Sequence, residues 1–383
     1  MTFSRRRLFG FFADAARDAA SAAGAEPRRT AAAESARETE AFEDALEIIA
    51  VTGPEYGGGL SNHAPMVADA LLALARPQAI RPWVERYRRS LSAPPSGRNP
   101  IEGEWREALG DFSRHGDWVV FFRRAIAERP WREVLSDWTT RLAPGASAAA
   151  FHGLLRTAHA ARSLGRFDSP ARRRELAEGL AYWAARFRAL PDTGGWRTDT
   201  RLPSEALPAV ELLPDSERAE GGSIDDALQR LASSAAFAGV AGLIDSSLDG
   251  SRVVSDMAET FAGAYLVHST GSSAIALLHA VTGPSAVRLL LPYLDDRTRR
   301  VLLRFAWQAA AGIYAVYGRP DAGPVPTPPL MGREGLIDRA VATGDEHAIK
   351  LAEAALRENA VMPQPVFLAA ALDGVSRFGP NWP

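Results

Sequence analysis

The chain contains no cysteine. Disulfides, thiolate nucleophiles, iron–sulfur clusters and cysteine-ligated zinc are therefore excluded, and any metal must be held by imidazole and oxygen ligands. Neither sign of charge dominates. Lys and Arg together number 44 against 46 Asp and Glu, for a formal charge of −2, so there is no overall basic footprint for nucleic acid. The longest strongly apolar stretches stop short of the ~20 residues that a membrane span needs. A strand–Gly-x-Gly-x-x-Gly–helix signature is also missing. Gly57-Gly58-Gly59 leads into Asn62 without that spacing, which argues against a Rossmann-bound flavin or nicotinamide. Lysine is nearly absent: Lys350 stands alone among 44 basic residues. A buried lysine can lose its proton and act as a nucleophilic amine, whereas arginine stays charged.

What remains is a helix-forming chain of 383 residues, 46% of them hydrophobic, enough for a large buried core. Residues 1–40 read as a flexible leader separate from that core. Ser4-Arg5-Arg6-Arg7-Leu8-Phe9 resembles a twin-arginine export signal, but Asp14, Arg17 and Asp18 interrupt the apolar stretch such a signal requires. A cytoplasmic protein is the expectation, with export the minor alternative. From Phe42 onward the apolar period is helical. Leu176, Leu180, Trp183, Phe187 and Leu190 form one face of a helix over 173–190. Similar patterns predict helices over 62–75, 147–164, 225–243, 273–281, 299–315 and 346–357. Stretches at 93–100, 191–203, 213–222 and 319–335 are Pro/Gly-rich loops. The expected fold is all-α, with one large mostly helical domain over 41–383.

Seven histidines are present: His63, His115, His152, His159, His268, His279 and His347. In Ser61-Asn62-His63-Ala64-Pro65-Met66 a capping Ser or Asn opens a helix and Pro65 occupies its first turn. His63 then shares an apolar face with Met66, Val67, Ala70, Leu71 and Leu74 and points inward. A core histidine bonded to a carbonyl is the simple alternative. His152 and His159 are seven residues apart, which is ~10 Å along a helix axis; His268 and His279 are farther apart still. One ion with ~2 Å metal–nitrogen bonds takes at most one histidine from each pair. Spacing alone leaves open which one.

Lys350 lies one turn after His347 in Asp345-Glu346-His347-Ala348-Ile349-Lys350. A surface ion pair from Glu346 to Lys350, with Glu353 and Arg357 beside it, explains the pattern without chemistry. The alternative is a metal site. A neutral lysine amine adds carbon dioxide to become a carbamate, an oxygen ligand that arginine cannot supply. Four imidazoles and one carbamate suit iron or another divalent transition metal, provided the four rings converge in the fold.

Four segments taken in order, Leu60-Ser61-Asn62-His63-Ala64-Pro65-Met66, Phe151-His152-Gly153-Leu154-Leu155-Arg156, Leu278-His279-Ala280-Val281-Thr282-Gly283 and His347-Ala348-Ile349-Lys350-Leu351, together resemble the questin oxidase family. The resemblance spans roughly residues 42–360. It implies an all-helical oxidoreductase that opens a ring of anthraquinone-type polyketides, in net effect a Baeyer–Villiger oxidation. It also implies a non-haem Fe(II) dioxygenase centre of histidines and a carboxylated lysine. That selects His63, His152, His279, His347 and Lys350 as ligands, and leaves His159 and His268 as supporting or pocket residues.

The expected enzyme is thus an Fe(II)-dependent oxygenase that takes O2 as co-substrate and an electron-rich small aromatic molecule, with NADPH as an external reductant. Arg156, one turn beyond His152, is a candidate to bind a phenolate or carboxylate, and Thr282 to orient His279. Tyr182 and Trp183 are candidate pocket aromatics, although Trp183 also fits the core. Three other readings remain: an NADPH-dependent oxidase without bound metal, a carboxylated-lysine metallohydrolase, and a non-enzymatic helical scaffold for a ligand.

Overall fold

A computed structural model of the chain describes residues 37–195, 201–218, 222–271, 273–320, 323–325 and 331–379. Within them, the apolar periodicity becomes an all-α architecture. The first half holds α1 (residues 37–49), α2 (Ala64–Ala73), α3 (Ile80–Tyr87), α4 (His115–Glu128), α5 (Trp131–Leu142), α6 (His152–Arg166) and α7 (Pro170–Ala185). There follow α8 (Pro203–Ala206), α9 (Ile224–Gln229), α10 (Gly250–His268), α11 (Ser273–Leu290), α12 (Asp296–Tyr317), α13 (Arg333–Thr343), α14 (Glu346–Val361) and α15 (Pro365–Arg377). A two-stranded antiparallel hairpin, β1 (Glu55–Tyr56) and β2 (Leu60–Ser61), pairs Glu55 with Ser61.

Four helices close a ring around the centre of the molecule. α2 packs on α6, α6 on α11, α11 on α14, and α14 back on α2. Small residues bring neighbours close. A Cβ on Gly153 of α6 would lie 2.6 Å from the Trp183 Cα, and one on Gly179 of α7 would lie 2.9 Å from the Thr157 Cα. The α6–α7 contact therefore needs glycine on both sides. The ring is tied on one side by buried charge: Asp69 of α2 binds Arg162 of α6, which also binds Glu353 of α14.

Several boundaries differ from the sequence expectation. Residues 37–40, placed in the leader, are already helical, and Phe42, Ala45, Leu46 and Ile49 of α1 are core. The twin-arginine-like motif lies outside the described residues. The helix expected over 147–164 begins only at His152, and that over 173–190 ends at Ala185. The stretch 225–243 is a short α9 followed by 3-10 turns rather than one helix. By contrast, α11 runs beyond 281 through an internal Pro284. Among the described residues one segment, Ser273–Tyr293, is long and apolar enough to cross a membrane by length and composition, and 83% of its apolar window is buried inside the fold. It is the helix that carries His279.

Candidate metal centre

Each helix of the ring delivers one histidine. His63 precedes α2 and is aimed by the hairpin, whose turn residues Gly57, Gly58 and Gly59 have φ of +54°, +85° and +123°, values glycine adopts freely. Asn62 then fixes the chain: its Nδ2 donates to the Gly53 carbonyl at 2.8 Å, and its Oδ1 accepts from the Ala64 N–H at 2.9 Å. His152 is the first residue of α6. It emerges from a turn in which Ala149, Ala150 and Phe151 have φ of +48°, +51° and +70°, a conformation costing non-glycine residues about 1–2 kcal/mol each. The Phe151 ring packs on Gly283 of α11 so closely that a Cβ there would lie 2.5 Å from it. His279 sits inside α11. His347 lies in the first turn of α14, where the Asp345 carboxylate caps the His347 and Ala348 N–H groups at 2.8 and 3.0 Å.

Three imidazoles converge. His152 Nε2 lies 2.6 Å from His63 Nε2 and 3.3 Å from His279 Nε2. The opposite ring nitrogens are already committed. His152 Nδ1–H donates to the Ala149 carbonyl at 2.5 Å, and His279 Nδ1–H to the Ile275 carbonyl at 2.7 Å. His63 Nδ1 faces a Glu346 carboxylate oxygen at 3.2 Å and the Tyr87 hydroxyl at 3.3 Å. A carbonyl or carboxylate only accepts, so the proton of each neutral ring sits on Nδ1 and each Nε2 presents a lone pair. Three lone pairs then point at one another with no hydrogen between them. A cation relieves that arrangement. Two ligands ~2.1 Å from one ion and at right angles to each other are about 3.0 Å apart, a value that the two observed separations bracket. Burial pushes all three imidazoles well below their ordinary range, and neighbouring positive groups, Lys350 among them, push the same way. The rings are held neutral, as ligands must be.

His347 joins from α14, its ring centroid 5.0 Å from that of His63 and 5.5 Å from that of His279. The ligand atoms of His63, His152 and His279 lie within 4.8 Å of one another, as do those of a second group that shares His63 with Glu346 and His347. Lys350, one turn on, is 2% exposed, and its Nζ has no hydrogen-bond partner among the described residues. Burial draws its amine down from 10.5 to about 8, against the opposing pull of Glu346 and Asp345. The surface ion pair to Glu346 is not formed; that carboxylate turns to His63 instead.

The other candidates are elsewhere employed. Arg156 is buried in a two-pronged ion pair with Glu175, at 2.6 and 2.9 Å, so its charge is already matched and is not free for a phenolate. Thr282 donates to the Leu278 carbonyl at 3.3 Å rather than to His279. His159 binds Asp69 at 2.8 Å beside Arg162 and serves the charge network of the ring. His268 ends α10, accepting the Arg319 N–H at 2.9 Å against the edge of Tyr314. Trp183 is core, its indole N–H on the Gly145 carbonyl. The Tyr182 hydroxyl is shared by Ser61 and Glu55. An open groove of about 670 Å³ between α4 and the start of α7, lined by Arg123, Asp168 and Arg173 among others, includes none of the histidines.

Two residues beside His63 were not expected. Glu346 and Tyr87 hold its outer nitrogen, and Trp83 stacks on Tyr87 with centroids 4.6 Å apart. The adjacency of Glu346 to His347 was a signal for the first; nothing in the sequence marks Tyr87.

No curated protein matches the sequence. The family model described as questin oxidase-like matches residues 60–355, a span that includes all four converging histidines and Lys350. The chain belongs to the questin oxidase-like family, a family of oxidoreductases.

Proposed function

We propose that this protein is a non-haem iron-dependent oxygenase. It would insert oxygen into, and cleave, a ring of an anthraquinone- or hydroquinone-type substrate, in net effect a Baeyer–Villiger oxidation. His63, His152, His279 and His347 would hold Fe(II), with carboxylated Lys350 as a further ligand and an external reductant such as NADPH where one is needed. When bound, the metal supplies activation of the co-substrate dioxygen. The observation that carries this reading is the convergence of three Nε2 lone pairs whose Nδ1 protons are all committed elsewhere.

The chain's own residues account for the remaining requirements. Lys350, buried and without a hydrogen-bond partner among the described residues, reacts through its neutral amine: the nitrogen bonds to the carbon of carbon dioxide and releases one proton, leaving an anionic carbamate. Glu346 and Tyr87 fix the ring of His63, a support that raises ligand basicity and sets the tautomer. The apolar walls of α2, α6, α11 and α14 exclude water. His347 and Glu346 keep 13% and 16% side-chain exposure, so the start of α14 is the side from which a flat aromatic molecule would approach.

The test is oxygen uptake by protein loaded anaerobically with Fe(II) and bicarbonate, then given a reduced hydroxyanthraquinone under isotopically labelled dioxygen. Labelled oxygen in a ring-opened product is the expected result. Iron-loaded protein that consumes no oxygen with any such substrate contradicts the oxygenase reading. Two metal ions per chain would favour the carboxylated-lysine metallohydrolase, since the second group of His63, Glu346 and His347 offers a place for another ion.

A further inference from the structure

His152 enters α6 from a left-handed turn that its own residues disfavour. Ala149, Ala150 and Phe151 all have positive φ and none is glycine, so each Cβ crowds the following carbonyl. The turn is held from a distant part of the chain. Asp225 of α9 accepts the Ala149 N–H on Oδ2 at 2.9 Å and the Ala150 N–H on Oδ1 at 3.1 Å. Successive N–H groups in such a turn form a concave cradle for an anion, and a charged acceptor strengthens both bonds. The carbonyl of the same Ala149 accepts the His152 Nδ1–H at 2.5 Å. One continuous connection therefore runs from the Asp225 carboxylate through the Ala149 backbone to the imidazole whose Nε2 lies between those of His63 and His279.

We infer that Asp225 is a positioning residue for the metal centre. Its carboxylate holds the 149–151 turn in the conformation that aims His152 Nε2 inward and keeps the His152 proton on Nδ1. The inference rests on the metal centre proposed above.

The test compares the full-length wild type with Asp225→Ala, Asp225→Asn and Asp225→Ala combined with Ala149→Gly. Fe(II) affinity is measured anaerobically with bicarbonate by competition against a chromophoric chelator, and corrected by circular dichroism for the folded fraction. Asp225→Ala is expected to weaken binding roughly 10–100-fold per folded chain. Asparagine, which keeps one acceptor oxygen, falls between the two and serves as the main variant if alanine does not fold. Glycine at 149 adopts positive φ without steric conflict and recovers part of the lost affinity. Wild-type affinity in the folded Ala and Asn variants overturns the inference. So does a loss that neither asparagine nor Ala149→Gly recovers, the pattern of general structural damage. A readout free of iron separates this inference from the metal proposal. In metal-free wild type the His152 Nδ1 proton should give a slowly exchanging downfield resonance that Asp225→Ala loses. Its persistence in that variant refutes the coupling whether or not iron binds.

Discussion

Replacing Lys350 with methionine should stabilise the metal-free protein while weakening its hold on metal. The amine is 2% exposed and its Nζ has no hydrogen-bond partner among the described residues. At pH 7 it is protonated both in the fold and in the unfolded chain, so the fold carries the whole penalty of burying that charge. A fall from 10.5 to about 8 corresponds to about 3 kcal/mol at ~1.36 kcal/mol per pH unit. Methionine fills much the same volume with a flexible apolar chain and removes the penalty. Because the folded value is the lower of the two, the penalty is complete below pH 8. It shrinks as pH rises from 8 to 10.5, where the unfolded lysine also becomes neutral. Urea denaturation in chelator and bicarbonate-free buffer should therefore show Lys350→Met more stable by about 3 kcal/mol at pH 7, with the gap closing toward pH 10.5. Adding Fe(II) and bicarbonate should narrow the gap, and at about 1,000 times the Kd, where a ligand stabilises by about 4.1 kcal/mol, should favour the wild type again. A Lys350→Met protein no more stable at pH 7, with unchanged Fe(II) affinity, refutes the reasoning.

Three further outcomes follow from the same geometry. Glu346→Gln keeps the shape but removes the charge facing His63 Nδ1, and should weaken Fe(II) binding by about tenfold, read by chelator competition. Arg162→Met leaves Asp69 and Glu353 buried without their shared partner and should cost about 3–5 kcal/mol in denaturant unfolding. The network holds Asp69 down to about 2 and Glu353 below the carboxylate range, so its contribution is present above pH ~4 and is lost as pH falls toward 2; the variant should show a smaller acid-induced loss, since His159 and Arg166 still face Asp69 and Arg357 still faces Glu353. His115 is 1% exposed with neither ring nitrogen partnered among the described residues, and burial holds it at about 3. The unfolded chain takes up its proton below pH ~6.5, so His115→Phe should remove about 1.4 kcal/mol of stability loss per pH unit between there and pH 3, visible as a flatter stability profile.

Much of the centre is legible in the sequence because its signals are local. Asn62-His63-Ala64-Pro65 announces a helix start, although the N-cap position falls on His63 itself, whose side chain makes no capping bond, and the apolar partners of His63 follow at helical spacing. Lys350 stands out by contrast with the 43 arginines. The distance between His152 and His159 along one helix allows only one of them at a shared ion, and the fold places His159 on Asp69. What escapes is decided by residues far apart in sequence. Ala148, Ala149 and Ala150 have strong helical propensity, yet Asp225 and the Phe151–Gly283 contact hold a left-handed turn there, a tertiary override of local preference. Arg156 shares a face with His152, but its partner Glu175 lies on the next helix. The i,i+4 rule pairs Glu346 with Lys350, and it fails because that face of α14 is turned into the core rather than toward water.

The most direct test of the central claim is a count of iron. Protein loaded with Fe(II) anaerobically in bicarbonate would be desalted and analysed for metal beside His152→Ala and Lys350→Arg, with circular dichroism to confirm folding. About one iron per wild-type chain, lost in both folded variants, is the predicted result. Folded wild type that retains no transition metal, or variants that hold iron as well as it does, would contradict the account.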